Sequence, residues 1–276
     1  MELMLTVTVG NSAVSFALFR ADCEASDARP VSIFRIAALP ARTADEYAVL
    51  LSAMTARLGE AVEIKTAILC SVVPALTDEI RRALQLLFPA ATCLTVGAGL
   101  RTGLTIRTDT PAELGADLVA MAVGAATLQK PPFLVLNCDA VTTLSAVDAG
   151  KDGPAFLGCA ILPGPALGAE SLKARAAQLS SVSLTSPKAA IGANSGDSVR
   201  AGLLLGHAAA VEGLIGRFEQ EIGKGSLPVI ATGCYAEQTL PHCRHEVKFD
   251  AELAHRGLCR LVELNRQKSG NPRKRY

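Results

Sequence analysis

The sequence predicts an α/β protein built from two related halves, and three observations carry that reading. Short apolar strand patterns alternate with longer helical ones, which places helices over the faces of sheets. A β-hairpin pattern opens the chain at residues 3–19, and a second recurs at residues 133–147, about half a chain later. The 276 residues, 50% of them hydrophobic, suffice for two domains or one large one at roughly 150 residues per domain.

The elements follow in order. Residues 3–9 alternate and are rich in Val, Leu and Thr; Gly10-Asn11-Ser12 makes a turn, and residues 14–19 alternate again. A backbone with φ > 0 is the ordinary reason for Gly and Asn in such a turn. Thr43-Ala44-Asp45-Glu46 reads as a capping box opening a helix to about residue 58. Residues 65–71 form a buried strand, and Thr77 caps a second helix that Pro89 stops. A third helix starts near Pro111, with Glu113 at the positive end of its dipole. In the second half, residues 133–136 and 142–147 are strands around a polar break at Asn137-Cys138-Asp139. A long helix at 198–222, a strand at 228–232 and a last helix at 251–267 complete the pattern. Residues 268–276, all Gly, Pro, polar or basic apart from Tyr276, read as a flexible basic tail.

Charge and composition exclude several functions. The 27 Lys and Arg nearly cancel the 26 Asp and Glu, so no field draws nucleic acid or an anionic membrane. With no Trp and three Tyr, base stacking and membrane-interface anchoring are also disfavoured. The apolar runs at 118–128 and 201–215 are short, or broken by Gly206, His207 and Glu212, and fall below the roughly 20 residues of a span. Glu2 stands where a secretory signal carries a base, so a cytoplasmic location is expected. Eight cysteines without a CxxC pair are expected to be buried free thiols. His242, Cys243 and His245, with Cys234 upstream, lack the spacing of a zinc site and read as a surface turn after Pro241.

Two segments could carry chemistry. The Gly10-Asn11-Ser12 turn could offer backbone N–H groups and a hydroxyl to an anion. In residues 103–117, Arg107 presents a planar fork suited to a carboxylate or phosphate, and Asp117 enters an apolar helix face, where a carboxylate can serve as a base.

An ordered set of short motifs adds a resemblance. Val9-Gly10-Asn11-Ser12, Ser71-Val72-Val73-Pro74-Ala75-Leu76-Thr77, Arg101-Thr102-Gly103-Leu104 and Pro111-Ala112-Glu113-Leu114-Gly115-Ala116-Asp117 resemble the bacterial type III pantothenate kinases. So do Pro163-Gly164, Ile191-Gly192-Ala193-Asn194-Ser195 and Val229-Ile230-Ala231-Thr232-Gly233, and the resemblance covers residues 3–265. It implies an actin-like pair of ribonuclease-H-like halves with mixed sheets flanked by helices, a cleft between them and a division near residue 117. It also implies a homodimer that phosphorylates pantothenate with ATP, using magnesium and a monovalent cation, potassium or ammonium. Asp117 takes the place of the family's base, and Gly115, Ala116 and Ser195 fall at substrate-binding positions, as Arg107, Thr108 and Leu118 are expected to. Thr8, Gly10, Asn11, Ser12, Asp139, Ala140 and Gly233 fall at nucleotide-binding positions, and Asn137 at the monovalent-cation position.

The departures concentrate on the metal and phosphate motifs. Thr8 and Asn137 replace aspartates, Asp139-Ala140 replaces Gly-Thr, and Cys234 replaces a glycine. Leu118 stands for an arginine, and Thr108 for a pocket aromatic. Magnesium is a hard ion that favours carboxylate and phosphate oxygens, so these losses are expected to weaken it. Asp139 adds negative charge where glycine let phosphate approach, and a takeover of metal binding by Asp139 is not expected. Two readings follow: a weakened pantothenate kinase, or a catalytically inactive paralogue acting as a binding or regulatory protein. A sugar or acid kinase is a minor third.

Overall fold

The computed structural model describes residues 1–59, 62–176 and 182–266. In chain order the first elements are β1 (Glu2–Val9), β2 (Ala13–Arg20), β3 (Ser32–Ala37), α1 (Ala44–Ala56), β4 (Glu63–Ser71), α2 (Pro74–Leu87), β5 (Thr92–Thr95), β6 (Thr105–Ile106) and α3 (Ala116–Leu128). Then come β7 (Phe133–Cys138), β8 (Val141–Gly150), β9 (Gly153–Pro163), α4 (Pro165–Arg175), α5 (Ser195–Ile222), β10 (Val229–Thr232), α6 (Ala236–Thr239), β11 (Val247–Phe249) and α7 (Leu253–Asn265).

The expected class is observed: α/β, with two mixed sheets flanked by helices. The first sheet has the order β3-β2-β1-β4-β5 and the second β11-β10-β7-β8-β9-β6. In both, an antiparallel meander supplies three strands, and two further strands add in parallel beside the first of the three. The second sheet thus repeats the first, with β6 added at its edge. Packing divides the chain into two compact units. Among the described residues, one holds 1–103, 112–127 and 254–266, and the other holds 104–111 and 128–253.

In the first unit, Leu3, Leu5, Val7, Phe16 and Leu18 alternate onto one sheet face and pack with Tyr47 and Leu51 of α1 and Leu76 and Ile80 of α2. The opposite face carries a buried polar chain. His255 of α7 places Nδ1 2.7 Å from Thr6 Oγ1 and Nε2 2.9 Å from Ser15 Oγ. Thr6 donates its own proton to the Ala17 carbonyl at 3.3 Å, so Nδ1–H donates to Thr6 and Nε2 accepts from Ser15. Burial, with a smaller push from the Arg35 charge, lowers the His255 pKa to about 3, so the ring is neutral. Helix α7 also meets α3 at the backbone: a Cβ on Gly257 would lie 1.8 Å from the Ala120 carbonyl oxygen.

The capping box is present: Thr43 Oγ1 accepts from Glu46 N–H, and the Glu46 carboxylate accepts from Thr43 N–H. Thr43→Ala should cost about 1 kcal/mol, read as a lower urea midpoint with an unchanged slope; an unchanged midpoint would show that the cap contributes nothing.

Several expected boundaries shift. Helix α2 starts at Pro74, not Thr77, because proline fits the first helical position; the Thr77 hydroxyl turns back to Ser71 Oγ and the Val73 carbonyl. Near Pro111 the chain makes only a short 3-10 turn, Pro111–Glu113, and α3 begins at Ala116. Helix α5 starts at Ser195, three residues early, because Asn194 caps it through a bond from Asp197 N–H. No residue of the Gly10-Asn11-Ser12 turn has positive φ, so conformational need does not explain its Gly and Asn. Asn137 lies inside β7 rather than in a break. The eight thiols are free, but only Cys70, Cys138 and Cys259 are buried. The expected tail at 268–276 lies outside the described residues.

Helix α5 is long and apolar enough to cross a membrane by length and composition alone. It carries Asp197, Arg200, Glu212, Arg217 and Glu219, and it buries Leu204, Val211 and Ile215 against protein.

Candidate functional site

The candidate residues fall into two groups, one in each unit. In the first unit, β1 ends in the turn closed by Gly10 N–H donating to the Ala13 carbonyl at 2.9 Å. Asn11 and Ser12 are exposed at its tip. A Cβ at Gly10 would meet only the Ala13 carbonyl oxygen, at 3.5 Å, which leaves the turn open to a ligand. Thr8 is half-buried and pairs in register with Ser15 and with Cys70. The Cys70 thiol is pushed up by burial and, to a lesser degree, by the Asp117 carboxylate. Cys70 pairs with Thr8 in the β1–β4 register, so Asp117 lies within electrostatic range of that strand position.

Asp117 sits in the first turn of α3, where the helix dipole favours a carboxylate. Its Oδ1 accepts from Leu118 N–H at 2.9 Å, and Leu118 is buried. A Cβ on Gly115 would lie 2.5 Å from Asp117 Oδ1, so the glycine makes room for the acid. Ala116 opens the helix between them. The Gly-Ala-Asp sequence is therefore a carboxylate held at a helix start.

In the second unit, the β7–β8 turn at Asp139 and Ala140 is enclosed by two glycines. A Cβ on Gly164 would lie 2.2 Å from the Asp139 carbonyl oxygen, and one on Gly233 would lie 2.5 Å from the Cys138 carbonyl carbon. Gly233 has φ +104°, a conformation that only glycine adopts readily. The turns are tied together: Tyr235 N–H donates to the Cys138 carbonyl at 2.8 Å, and Cys234 N–H donates to Asp139 Oδ1 at 2.9 Å. The Cys234 thiol, pushed up to about 12 by burial and then by the Asp139 hydrogen bond, remains protonated.

Just inside this turn, Asn137 of β7 faces Thr143 of β8 on one side and Thr232 of β10 on the other. Asn137 Oδ1 and Thr143 Oγ1 are both buried without a hydrogen-bond partner. Unpartnered buried acceptors are costly, and two side by side suit a ligand that brings positive charge or donors. Two neutral oxygens fit a monovalent cation of the potassium or ammonium kind. They bring no formal negative charge, which a divalent ion favours in its ligands. Asp139, the nearest acid in sequence, is turned toward Cys234.

Three candidates stand elsewhere. Arg107 lies beside Gly150, at the opposite end of β8 from Thr143, roughly 24 Å away at the usual rise per residue. Asp148 there pairs with Lys224 at 2.6 Å, which together with its Ala149 backbone bond and the Arg107 charge holds its carboxyl below the usual range. Thr108, nearby in sequence, buries an unpartnered Oγ1. Ser195 is exposed at the first position of α5. The His242, Cys243 and His245 patch is structural in its contacts: His245 Nδ1 lies 3.0 Å from Glu212, whose carboxylate also accepts from the Arg244 and His245 backbone N–H groups.

Sequence reading missed Thr143 as the neighbour of Asn137 and Gly164 as a backbone-contact glycine. The Thr142-Thr143 pair and Pro163-Gly164 were visible, but only strand register shows what they touch.

A family model described as type III pantothenate kinase matches residues 4–217. The chain is 37% identical over 261 residues to a type III pantothenate kinase of Thermus thermophilus, covering 94% of this chain and 98% of that one. It is 32% identical over 263 residues to a type III pantothenate kinase of Acidothermus cellulolyticus, covering 95% and 99%. Among solved structures, a conserved Baf family protein from Campylobacter jejuni superposes with a TM-score of 0.55 at 14% identity, covering 94% of this chain and 97% of that one. That last likeness shows the fold alone.

Proposed function

Because the chain belongs to the type III pantothenate kinase family, we propose that it transfers the terminal phosphoryl group of ATP to the primary hydroxyl of pantothenate, more slowly than its relatives do. The observation that carries the reading is Asp117 itself: a carboxylate in the first turn of α3, accepting from Leu118 N–H in space that Gly115 leaves open.

In this reading the Asp117 carboxylate accepts the hydroxyl proton as that oxygen attacks the terminal phosphorus, and ADP departs. In the first unit the Asn11 and Ser12 N–H groups and the Ser12 hydroxyl donate to phosphate oxygens, and in the second unit N–H groups around Ala140 and Gly233 offer the same. Gly115, Ala116 and Leu118, which surround Asp117, contact pantothenate; Arg107, Thr108 and Ser195 stand apart from this group. Asn137 Oδ1 and Thr143 Oγ1 would hold a potassium or ammonium ion, which would supply positive charge.

The divalent ion is the weak point. Neither Thr8 nor Asn137 offers a carboxylate, and Asp139 is occupied by Cys234 N–H. Magnesium must then rely mainly on the nucleotide's own phosphates, and slower turnover follows. The same engagement of Asp139 favours the second reading, a paralogue that binds without turnover. We further propose a cytoplasmic homodimer, and a division near residue 117 as the boundary of the two duplicated halves, 1–117 and 118–267.

A coupled ADP-release assay with ATP, magnesium, and potassium or ammonium tests the reading. Release that depends on pantothenate supports the kinase. No release, together with no calorimetric heat for ATP, supports the non-catalytic paralogue.

A further inference from the structure

The turn after β2 is strapped onto α7 by side chains from both ends of that helix. Glu263 accepts from Ala25 N–H at 2.7 Å, Arg256 donates to the Ala25 and Ser26 carbonyls at 2.7 and 2.8 Å, and Arg266 donates to the Ala21 carbonyl. In the middle of the strap, Cys23 lies between the bonds at Ala21 and Ala25, and Cys259 lies on the stripe of α7 that also carries Arg256 and Glu263, which puts the two cysteines on facing segments. Cys259 is fully buried on α7, whereas Cys23 is part-exposed on the turn. The pair unites an accessible sulfur with a sheltered one across 236 positions of sequence, inside a segment already held in place.

We propose that Cys23 and Cys259 form a redox-active dithiol that hydroperoxides oxidise to an intramolecular disulfide. The Cys23 thiolate attacks the terminal peroxide oxygen; the O–O bond breaks, hydroxide (or alkoxide from an organic hydroperoxide) leaves, and Cys23 becomes a sulfenic acid. The Cys259 sulfur then attacks the Cys23 sulfur, forming the S–S bond and releasing water. The pair supplies two electrons, and the peroxide takes both. Cys23 is suited to attack first because it is part-exposed, whereas Cys259 is buried and out of reach of a dissolved peroxide. Burial pushes the Cys259 thiol up, which suits it to the second, resolving step. Arg256 and Arg266 flank the pair with positive charge.

The proposal does not depend on the kinase reading, because its readout is covalent. The full-length reduced chain is treated with hydrogen peroxide, its remaining thiols are alkylated, and it is digested for mass spectrometry. The expected result is a Cys23–Cys259 cross-linked peptide, lighter by two hydrogen atoms and reversed by dithiothreitol. It should form ahead of any pairing that involves the exposed Cys159 or Cys234. Cys23→Ser should abolish the cross-link. Cys259→Ser, or Cys259→Ala if the serine variant does not fold, should leave a Cys23 sulfenic acid trappable by dimedone. Absence of the 23–259 peptide from the peroxide-treated native chain, or its formation no faster than random pairs, would overturn the proposal.

Discussion

Asp117→Asn is expected to lower the pantothenate-dependent rate of ADP release by roughly 100- to 10,000-fold, the usual contribution of a positioned base. The substitution keeps the shape of the side chain and its Oδ1, so the bond from Leu118 N–H and the start of α3 survive. Thermal stability should change little, and ATP binding measured by calorimetry should persist. This pattern separates a missing proton acceptor from a damaged fold. A variant with near-native turnover would remove Asp117 from the chemistry. A variant that loses rate and stability together would assign the residue to the helix start instead.

The second large effect concerns acid stability. His255 is held neutral inside the first unit, with its folded-state pKa near 3 against an ordinary value near 6.5. A base whose folded pKa is depressed binds its proton in the unfolded state first. Its stabilising contribution is therefore complete above the unfolded value and is lost as pH falls toward the folded one. The slope approaches about 1.4 kcal/mol per pH unit. His207, also lowered by burial, acts in the same direction. The carboxylates of Glu212 and Asp148, both lowered, add their losses mainly below their own ordinary values. Urea midpoints for the native chain and for His255→Gln, taken between pH 7.5 and 4.5, isolate the His255 share. The native chain should lose stability more steeply over that window. Parallel slopes would show that His255 titrates normally.

Much of the fold was legible because its signals are local. Alternation in residues 3–9 and 14–19 reveals the first hairpin, and the continuous apolar run at 133–136 followed by the strand pattern at 142–147 reveals the second; their repetition announces the duplicated sheets. The Thr43 and Glu46 box marks α1 because cap chemistry involves residues only three apart. The strands β5, β6 and β11 are too short for a period to show. Edge strand β3 is only partly buried and so carries no clean alternation. At the site, Asp117 could be read from its setting and from the motif around it, but its partners could not. Strand register alone sets Asn137 beside Thr143 and Thr8 beside Cys70. Gly10 looked like a conformational glycine and is not one, whereas Gly233 is, and it also meets the backbone of the neighbouring strand. The thiol pair and the His255 network join residues more than 200 positions apart, beyond the reach of any local pattern.

The central claim is that neutral Thr8 and Asn137, rather than any loss of fold or base, limit phosphoryl transfer. The direct measurement compares pantothenate-dependent ADP release by the native chain and by the double variant Thr8→Asp plus Asn137→Asp, at matched magnesium and potassium. The double variant should be faster by at least about tenfold, equivalent to about 1.4 kcal/mol of transition-state stabilisation. Equal rates would contradict the account.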